Sequence, residues 1–242
     1  METVALARSQ ENTDTVTLRV QSTFSVTPGQ FIMLGALIGE AGREIKRSYS
    51  VAGQGSGWLE ITVRAQPQGV FSNYLCACKV GDALNLYGPF GRHFIWKPEE
   101  HDVEVPVAFI AGGTGIAPFR AMMQAAEDSK FAARGGRGHV IFSTRSSADI
   151  IYSSELPAWS EAGFPVTVTL TRPTEADTAN WTGAFGRINA RLLSAKLGSD
   201  LNAAKFYVCG PTPLVADVQT VLATLGVTPE RIFVEKYGLI EG

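Results

Sequence analysis

A glycine-rich segment in the middle of the chain has residues whose types and spacing could bind a phosphate. The segment GGTGIAP (residues 112–118) follows an apolar run at 105–111 and precedes residues with helical spacing. Glycines let backbone N–H groups approach a phosphate, and a helix N-terminus adds partial positive charge. We therefore expect a nucleotide site here, although the spacing is neither G-x-G-x-x-G nor a P-loop. A tight strand-to-helix turn that merely needs glycine is the alternative.

Three arginines could recognise a further phosphate. Arg145 follows the next β-branched run and is flanked by hydroxyl residues, Arg172 follows a third run, and Arg187 precedes a helical stretch. The guanidinium group is a planar fork of donors that suits phosphate. In dinucleotide folds an acidic residue at such a position binds the ribose 2′-hydroxyl, whereas an arginine accommodates a 2′-phosphate. The alternative is that all three are solvated loop residues.

The elements that must position these residues fall into two halves. Up to about Trp96 the chain has short runs with the two-residue period of half-buried strands, for example at 16–20 and 59–63, separated by glycine and proline turns. Only 70–77 has a helical pattern. Many short strands with regular turns predict a sandwich or a small barrel.

Beyond a polar, proline-containing segment at 97–102, strands and helices alternate. This alternation predicts a parallel sheet with helices on both faces. We therefore expect a β domain at 1–98 and an α/β nucleotide-binding domain at 104–242. The strand-like runs lie at 105–111, 139–143, 166–170, 206–208 and 232–234, and the helical stretches at 117–127, 153–161, 189–197 and 213–225.

Composition narrows the class of protein. The formal net charge is −2 over 242 residues, which argues against non-specific nucleic-acid binding. Three cysteines are too few for a disulfide framework and favour a reducing compartment. No apolar run approaches the length of a membrane span, so we expect a soluble, cytoplasmic protein without membrane insertion. No four-cysteine set for an iron–sulfur cluster is present, and no metal is expected.

Five motifs together resemble the ferredoxin–NADP reductase superfamily. They are RSYS (47–50), GVFSNYL (69–75), GGTGIAPFR (112–120), YVCGP (207–211) and VEKY (234–237), in the order of that family and over nearly the whole chain. The resemblance implies a Greek-key antiparallel β-barrel that holds FAD, followed by a Rossmann-like domain that binds NAD(P).

For the barrel, the resemblance implies a flavin site. Arg47 would pair with the flavin pyrophosphate, Tyr49 would pack on the isoalloxazine ring, and Ser50 would lie beside flavin N5. Taken without the family, the same residues could be an ordinary strand with an exposed arginine. The other cofactor-binding residues implied here are Arg64, Gly69, Val70, Phe71 and Ser72, the last four at a helix start that would receive the same pyrophosphate.

For the second domain, the resemblance implies a nicotinamide site. Cys209 would lie against the nicotinamide, and Glu235 would lie near the serine at N5, so that Ser50, Cys209 and Glu235 form the expected catalytic set. Tyr237 matches an aromatic residue that can cover the flavin, although five residues follow it here. Without the family, Cys209 would be a buried packing residue, and Glu235 and Tyr237 surface residues. The further nucleotide-binding residues are Gly113, Thr114, Gly210 and Pro211, with Arg145, Arg172 and Arg187 resembling the 2′-phosphate cluster of bacterial relatives.

The function implied is hydride transfer from NADPH to bound FAD, followed by single-electron transfer to a separate carrier such as ferredoxin or flavodoxin. NAD(H) in place of NADP(H) stays open. A basic docking face for an acidic carrier is expected in barrel loops that contain Arg43, Lys46, Arg92, His93 and Lys97.

Three alternative functions remain. The chain could reduce flavin as a diffusible substrate, or it could be the NADH-dependent reductase component of an oxygenase or hydrogenase complex. It could also be a binding module without turnover.

Overall fold

The chain divides into two compact units in a computed structural model that describes residues 1–38 and 42–237. One unit contains Met1–Lys97 together with Ala117–Gln124, and the other contains Pro98–Ile116 and the chain from Ala125 onward. The five residues after Tyr237, whose role the sequence leaves open, lie outside the described residues.

Six antiparallel strands of the first unit close into a barrel. They are β1 (Glu2–Asn12), β2 (Thr15–Gln21), β3 (Phe31–Ile38), β4 (Arg43–Gly55), β5 (Trp58–Arg64) and β6 (Ala83–Phe90). The order around the barrel is β1-β2-β5-β4-β3-β6, and β6 pairs with β1 to complete the circle. The antiparallel barrel expected from the sequence is therefore confirmed. Helix α1 (Val70–Ala77) lies between β5 and β6 in the chain and inserts Phe71 and Leu75 into the barrel core.

Two barrel strands are buried on both faces, which their alternating sequences do not predict. In β2 and β5 the apolar residues are buried as expected, but Thr17, Glu60 and Thr62 are also less than one tenth exposed. The hydroxyl oxygens of Thr17 and Thr62 lie 2.9 Å apart, and Glu60 is paired with two arginines. Polar residues can be buried in this way because each has a partner.

The second unit has a six-stranded parallel sheet. Its strands are β7 (Val107–Gly112), β8 (Gly138–Thr144), β9 (Val166–Leu170), β10 (Ala184–Phe185), β11 (Lys205–Pro211) and β12 (Ile232–Tyr237). The order is β10-β9-β8-β7-β11-β12, and every pair is parallel. This is the predicted α/β nucleotide-binding architecture, in which ligands bind at the carboxyl ends of the strands.

The limits of the helices differ from the sequence pattern at several points. The helix predicted at 153–161 begins three residues later, and a short helix at Glu175–Asn180 was not predicted. Beyond α1 the helices are α2 (Ala117–Asp128), α3 (Leu156–Glu161), α4 (Glu175–Asn180), α5 (Ala190–Leu197) and α6 (Thr212–Thr224).

The sheet has a core on each face. On one face Ala108 and Ile110 of β7 pack with Leu193 of α5 and Val215 of α6. On the other face Phe109 contacts an aromatic group that contains Phe131, Phe164 and Tyr207, with ring centroids 5.8–6.1 Å apart. Successive side chains of β7 are thus buried on opposite faces of the sheet, and this packing anchors the strand that leads into the glycine-rich segment.

The polar segment at 97–102 is partly buried. The imidazole Nε2 of His101 lies 2.8 Å from the carbonyl oxygen of Val105, and burial lowers the pKa of this histidine. Among the described residues, no helix is long and apolar enough to cross a membrane.

Candidate functional site

Strand β4 carries the RSYS motif on the barrel. Arg47 is exposed, and its Nη1 donates to the carbonyl oxygen of Lys46 at 2.7 Å. Tyr49 is half-buried against the barrel core. The centroid of its ring lies 6.4 Å from the centroid of the Phe71 ring. Burial raises the pKa of the Tyr49 hydroxyl, so the phenol stays neutral. Ser50 is half-buried and pairs in register with Phe31 of β3.

The start of helix α1 lies in the same unit. Its N-cap residue is Gly69, which supplies no side-chain cap, so the usual Ser, Thr or Asp partner of the first-turn N–H groups is missing. Ser72 donates its hydroxyl to the carbonyl oxygen of Gly69 at 3.1 Å and accepts from the backbone N–H of Gln66 at 3.3 Å. A Cβ at Gly69 would lie 2.3 Å from that hydroxyl oxygen, so a larger residue there would displace the Ser72 side chain. Val70 is exposed, whereas Phe71 is buried.

These groups fit FAD by their chemistry. An exposed guanidinium and an uncapped helix start suit a diphosphate, and a rigid aromatic pair suits a flat ring system. The structure brings Tyr49 and Phe71 together, and Phe71 stacks in turn on Tyr74 at 6.2 Å. Arg64 is different: its Nη2 and Nε lie 2.7 and 2.9 Å from one carboxylate oxygen of Asp14. Its charge is therefore compensated within the barrel.

The glycine-rich segment after β7 forms a 3₁₀ turn, Gly113–Ile116, that leads directly into α2. Pro118 lies in the first turn of α2, where it loses no hydrogen bond. Gly113 has a φ of +54°, which L-residues rarely adopt. A Cβ on Gly115 would lie 2.2 Å from the carbonyl oxygen of Cys209. The requirement for glycine at 115 therefore comes from packing on the neighbouring strand.

The CGP motif ends strand β11 beside this turn. Cys209 is 1% exposed, and its Sγ lies 3.9 Å from Oε2 of Glu235, its partner in the parallel register of β11 and β12. Burial and then the nearby carboxylate raise the pKa of this thiol well above its ordinary value. Gly210 is buried, and a Cβ added there would lie 3.2 Å from the backbone N of Gly112, whereas Pro211 is exposed.

Tyr237, the last described residue, contacts the glycine-rich segment through its hydroxyl. The hydroxyl oxygen lies 2.6 Å from the carbonyl oxygen of Gly112, 2.9 Å from the N of Gly115 and 3.2 Å from Oγ1 of Thr114. The structure thus brings Thr114 and Tyr237 together, a contact that the sequence does not predict.

Carboxylates that the sequence analysis missed pair with two of the three arginines. Arg145 forms an ion pair with Asp149, which also accepts from the backbone and hydroxyl of Ser146. Arg187 lies 3.1 Å from Asp217, with both side chains exposed. Arg172 is exposed, and its backbone N–H donates to the carbonyl oxygen of Arg145 at 2.7 Å, so these two backbones are adjacent.

A sequence signal for Asp149 was present. Ser146 and Asp149 are three residues apart and form a capping box at the turn that follows β8. Asp177, nine-tenths buried in α4, makes a second such box with Thr174 and also accepts from the N–H of Ser147 at 3.5 Å. Asp149 therefore follows the end of β8, as Arg145 does, and Asp177 follows the end of β9, as Arg172 does.

The residues proposed for a basic docking face need one correction. Arg43 and Lys46 lie in strand β4, because β4 is 13 residues long and includes the segment expected to be a loop. Lys46 is also paired with Glu44 at 2.9 Å, and its ammonium lies 4.0 Å from the centre of the Tyr87 ring. Arg92 and His93 are exposed after β6, whereas Lys97 is half-buried.

The cysteines and the potential metal ligands can be located over the residues that the structure describes. All three cysteines are free thiols, and Cys76 and Cys78 pack on the barrel core. No group of three or more histidine, cysteine or carboxylate residues gathers there in a way that could hold a metal ion.

Comparisons with known proteins agree with the two-unit architecture. Residues 5–95 match the family described as oxidoreductase FAD-binding domain, and residues 109–220 match the oxidoreductase NAD-binding domain. NADH-cytochrome b5 reductase 1 of Aspergillus terreus is 31% identical over 213 residues, 84% of this chain and 68% of that protein. The protein of the same name from Aspergillus oryzae is 30% identical, with 84% and 69% covered.

Solved structures show the same fold. The FAD/NAD-binding domain of nitric oxide dioxygenase from Vibrio cholerae superposes with a TM-score of 0.83 at 22% identity, over 98% of both chains. A ferredoxin NADP⁺ reductase from Neisseria gonorrhoeae, solved with bound FAD and NADP, superposes with a TM-score of 0.79 at 21% identity, again over 98% of each chain. The matched domains, the relatives and the barrel followed by a parallel sheet lead to one conclusion: the chain belongs to the ferredoxin–NADP reductase superfamily of FAD- and NAD-binding oxidoreductases.

Proposed function

We propose that the protein is an NAD(P)H-dependent flavoprotein reductase that passes electrons to a separate carrier protein. The observation that carries this proposal is the arrangement at the carboxyl edge of the parallel sheet. There the buried Cys209 thiol, the Glu235 carboxylate and the turn at Gly113–Ile116 lie on adjacent strand ends. Ligands of open α/β sheets bind at this edge.

In this proposal the barrel holds FAD. FAD, when bound, supplies the redox chemistry, since it accepts a hydride and can release electrons one at a time. Arg47 and the start of α1 would bind the diphosphate, and Tyr49 would support the ring. The Tyr49 ring, half-buried beside Phe71, offers an aromatic face that suits packing on a ring system. Ser50 would present its hydroxyl to flavin N5.

The second unit would bind and orient the nicotinamide. The raised pKa of Cys209 keeps its thiol neutral, so the residue offers a small apolar surface rather than a nucleophile. Glu235 lies beside it, half-buried, and would hold or move a proton near the reacting centre. Thr114, in the turn, would donate to the nucleotide.

For the electron acceptor we propose a small carrier protein of the ferredoxin or flavodoxin type. Cytochrome b5 is a further candidate acceptor, because the Aspergillus relatives are NADH-cytochrome b5 reductases. Arg92 and His93 are exposed on this chain and would contribute to a docking site for an acidic partner.

The preferred nucleotide has two candidates. The three arginines favour NADPH, as the sequence indicates. A specific observation favours NADH: the Asp149 carboxylate already neutralises Arg145 and would repel a 2′-phosphate at the same place, whereas it could accept from a ribose 2′-hydroxyl. The curated relatives described above are named as NADH reductases.

An anaerobic titration of the purified protein with NADPH and, separately, NADH tests the proposal. We expect a yellow protein whose flavin absorption bleaches, with one nucleotide effective at lower concentration. Subsequent addition of ferredoxin, flavodoxin or cytochrome b5 should restore the flavin band while reducing the carrier. A colourless protein that turns over added free flavin would instead indicate a flavin reductase with a diffusible substrate. A protein that binds FAD but is reduced by neither nucleotide would contradict the proposal.

A further inference from the structure

The side chain of Tyr237 links the end of β12 to the turn that follows β7. Strand β11 lies between these two strands in the sheet, so the phenol reaches across its carboxyl end. The hydroxyl is within hydrogen-bond distance of three groups of one four-residue segment: the carbonyl oxygen of Gly112, the hydroxyl of Thr114 and the N–H of Gly115.

These three contacts use the full capacity of a phenol hydroxyl. It has one proton to donate and two lone pairs that accept. The carbonyl of Gly112 can only accept, and the N–H of Gly115 can only donate. The hydroxyl must therefore donate to Gly112 at 2.6 Å and accept from Gly115 at 2.9 Å, which leaves a lone pair for Thr114 at 3.2 Å.

Residues 112–115 need a constraint on their backbone because three of the four are glycine. Glycine loses more conformational freedom on ordering than any other residue. Close neighbours crowd two of them: an added Cβ would lie 2.5 Å from the Leu214 side chain at Gly112 and 2.2 Å from the carbonyl oxygen of Cys209 at Gly115. Gly113 has no such neighbour: with its φ of +54°, the nearest atom to an added Cβ is the Tyr237 hydroxyl oxygen, 3.7 Å away. The hydrogen bonds of the phenol lie on both sides of Gly113, to Gly112 before it and to Thr114 and Gly115 after it, so they restrain this residue from both ends.

We propose that Tyr237 is a positioning residue that preorganises the turn at Gly113–Ile116 for the nucleotide through its hydroxyl, rather than acting only as an aromatic cover. The inference rests on the proposed function and assigns a role to the hydroxyl alone. A turn that is already ordered pays less conformational entropy when a ligand binds. Removing the hydroxyl should therefore weaken nucleotide binding without changing the ring.

The test compares Tyr237→Phe with the wild-type protein, both loaded with FAD. Calorimetric titration with NAD⁺ and NADP⁺ measures binding without turnover, and steady-state assays separate KM from kcat. We expect Kd and KM for the nucleotide to rise about five-fold or more, a loss typical of one or more hydrogen bonds, while kcat and flavin content stay near wild type. Tyr87→Phe is the matched control, since it removes a tyrosine hydroxyl bonded to Glu44 at 2.7 Å on the barrel. It should leave Kd and KM unchanged.

A second measurement does not depend on the nucleotide. Hydrogen exchange of the peptide that contains Gly113–Ile116 should be faster in Tyr237→Phe than in the wild type, both without nucleotide. An unchanged exchange rate would overturn the proposal, as would an unchanged Kd. A lower Kd in the variant would also overturn it, because the hydroxyl would then compete with the nucleotide for Gly115 and Thr114. If the wild type binds neither nucleotide, the proposed function fails, and the exchange experiment still decides whether the hydroxyl orders the turn.

Discussion

The sulfur of Cys209 lies 3.9 Å from Oε2 of Glu235, because the two residues are direct partners in the parallel register of β11 and β12. A buried thiol next to a carboxylate is held in its neutral form, since both burial and the neighbouring negative charge oppose the thiolate. The pKa of the Cys209 thiol is therefore higher in the folded protein than in the unfolded chain, which makes the free energy of unfolding depend on pH.

The first prediction concerns stability at alkaline pH. In the unfolded chain the Cys209 thiol ionises near its ordinary pKa of 9.0, but in the folded protein it stays protonated to higher pH. Its contribution to stability is therefore complete below about pH 9 and is lost as the pH rises further, by up to about 1.4 kcal/mol per pH unit. Urea unfolding at pH 8 and pH 10 should show a smaller loss in Cys209→Ser than in the wild type. Equal losses in the two proteins would contradict the prediction, since their other titrating groups are the same.

The second prediction concerns the choice of nucleotide. Asp149→Asn keeps the size of the side chain but removes the charge that neutralises Arg145. We expect the ratio of kcat/KM for NADPH to that for NADH to rise about ten-fold or more, because Arg145 would no longer face the charge of Asp149, and a charge-assisted hydrogen bond to a 2′-phosphate contributes about 1.5–3 kcal/mol. Arg145→Ala should lower the same ratio. A ratio unchanged in both variants would show that the 2′ position is recognised elsewhere.

The third prediction concerns Ser50. Ser50→Ala removes a half-buried hydroxyl from β4 without a change in backbone, so FAD should stay bound while reduction of the flavin by nucleotide slows about ten-fold or more. Stopped-flow absorbance under anaerobic conditions measures the rate. Ser48→Ala, two residues earlier on the same strand, is the matched control and should react at the wild-type rate. Equal rates in all three proteins would remove Ser50 from the catalytic set.

The sequence predicts the helices and strands better than it predicts which side chains form hydrogen bonds or ion pairs with each other. Helix α1 and strand β9 have the limits that periodicity indicates, since strong local patterns coincide with burial there. Helix α4 was missed because it is only six residues long and its buried Asp177 also accepts from the backbone N–H of Ser147, 30 residues away. Short elements of this kind are fixed by tertiary contacts rather than by propensity.

The pairing of the arginines could not be predicted for a related reason. Arg187 pairs with Asp217 and Arg64 pairs with Asp14. The partners are 30 and 50 residues apart in the sequence, so no local pattern predicts either pair. The contact of Tyr237 with the glycine-rich segment depends on the register of β12, which periodicity does not fix. The Asp149 partner of Arg145, by contrast, is four residues away and could have been found from the Ser146 capping box.

The fourth prediction compares two glycines at the same sheet edge. A Cβ at Gly115 would lie 2.2 Å from the carbonyl oxygen of Cys209, whereas a Cβ at Gly210 would have its nearest neighbours at 3.2 Å. Gly115→Ala should therefore cost about 2 kcal/mol or more of the free energy of unfolding, as overpacking against backbone does, and Gly210→Ala about 1 kcal/mol or less. Urea unfolding at neutral pH measures both. Equal losses would mean that the turn adapts more easily than its close backbone contacts suggest.

The last prediction concerns Glu60, a barrel carboxylate that two arginines share. Glu60 lies 2.8 Å from Arg19 and 2.6 Å from Arg120, and the side chain of Glu60 is 10% exposed while those of the arginines are 38% and 24% exposed. Glu60→Ala would leave two like charges facing each other, so we expect a loss of about 2 kcal/mol, below the full range for a buried pair because both arginines reach water.

Arg19→Ala is the matched comparison for Glu60, because it leaves the carboxylate paired with Arg120. The guanidinium of Arg19 also lies 3.9 Å from the centre of the Trp58 ring, so its removal should cost about 1 kcal/mol, split between the ion pair and this contact. Urea unfolding in low and high salt separates the two variants, since screening should reduce the loss in Arg19→Ala more than the loss in Glu60→Ala. If Arg19→Ala is the more damaging change, the carboxylate is not the centre of this network, and the buried position of Glu60 must depend on Arg19 rather than on Arg120.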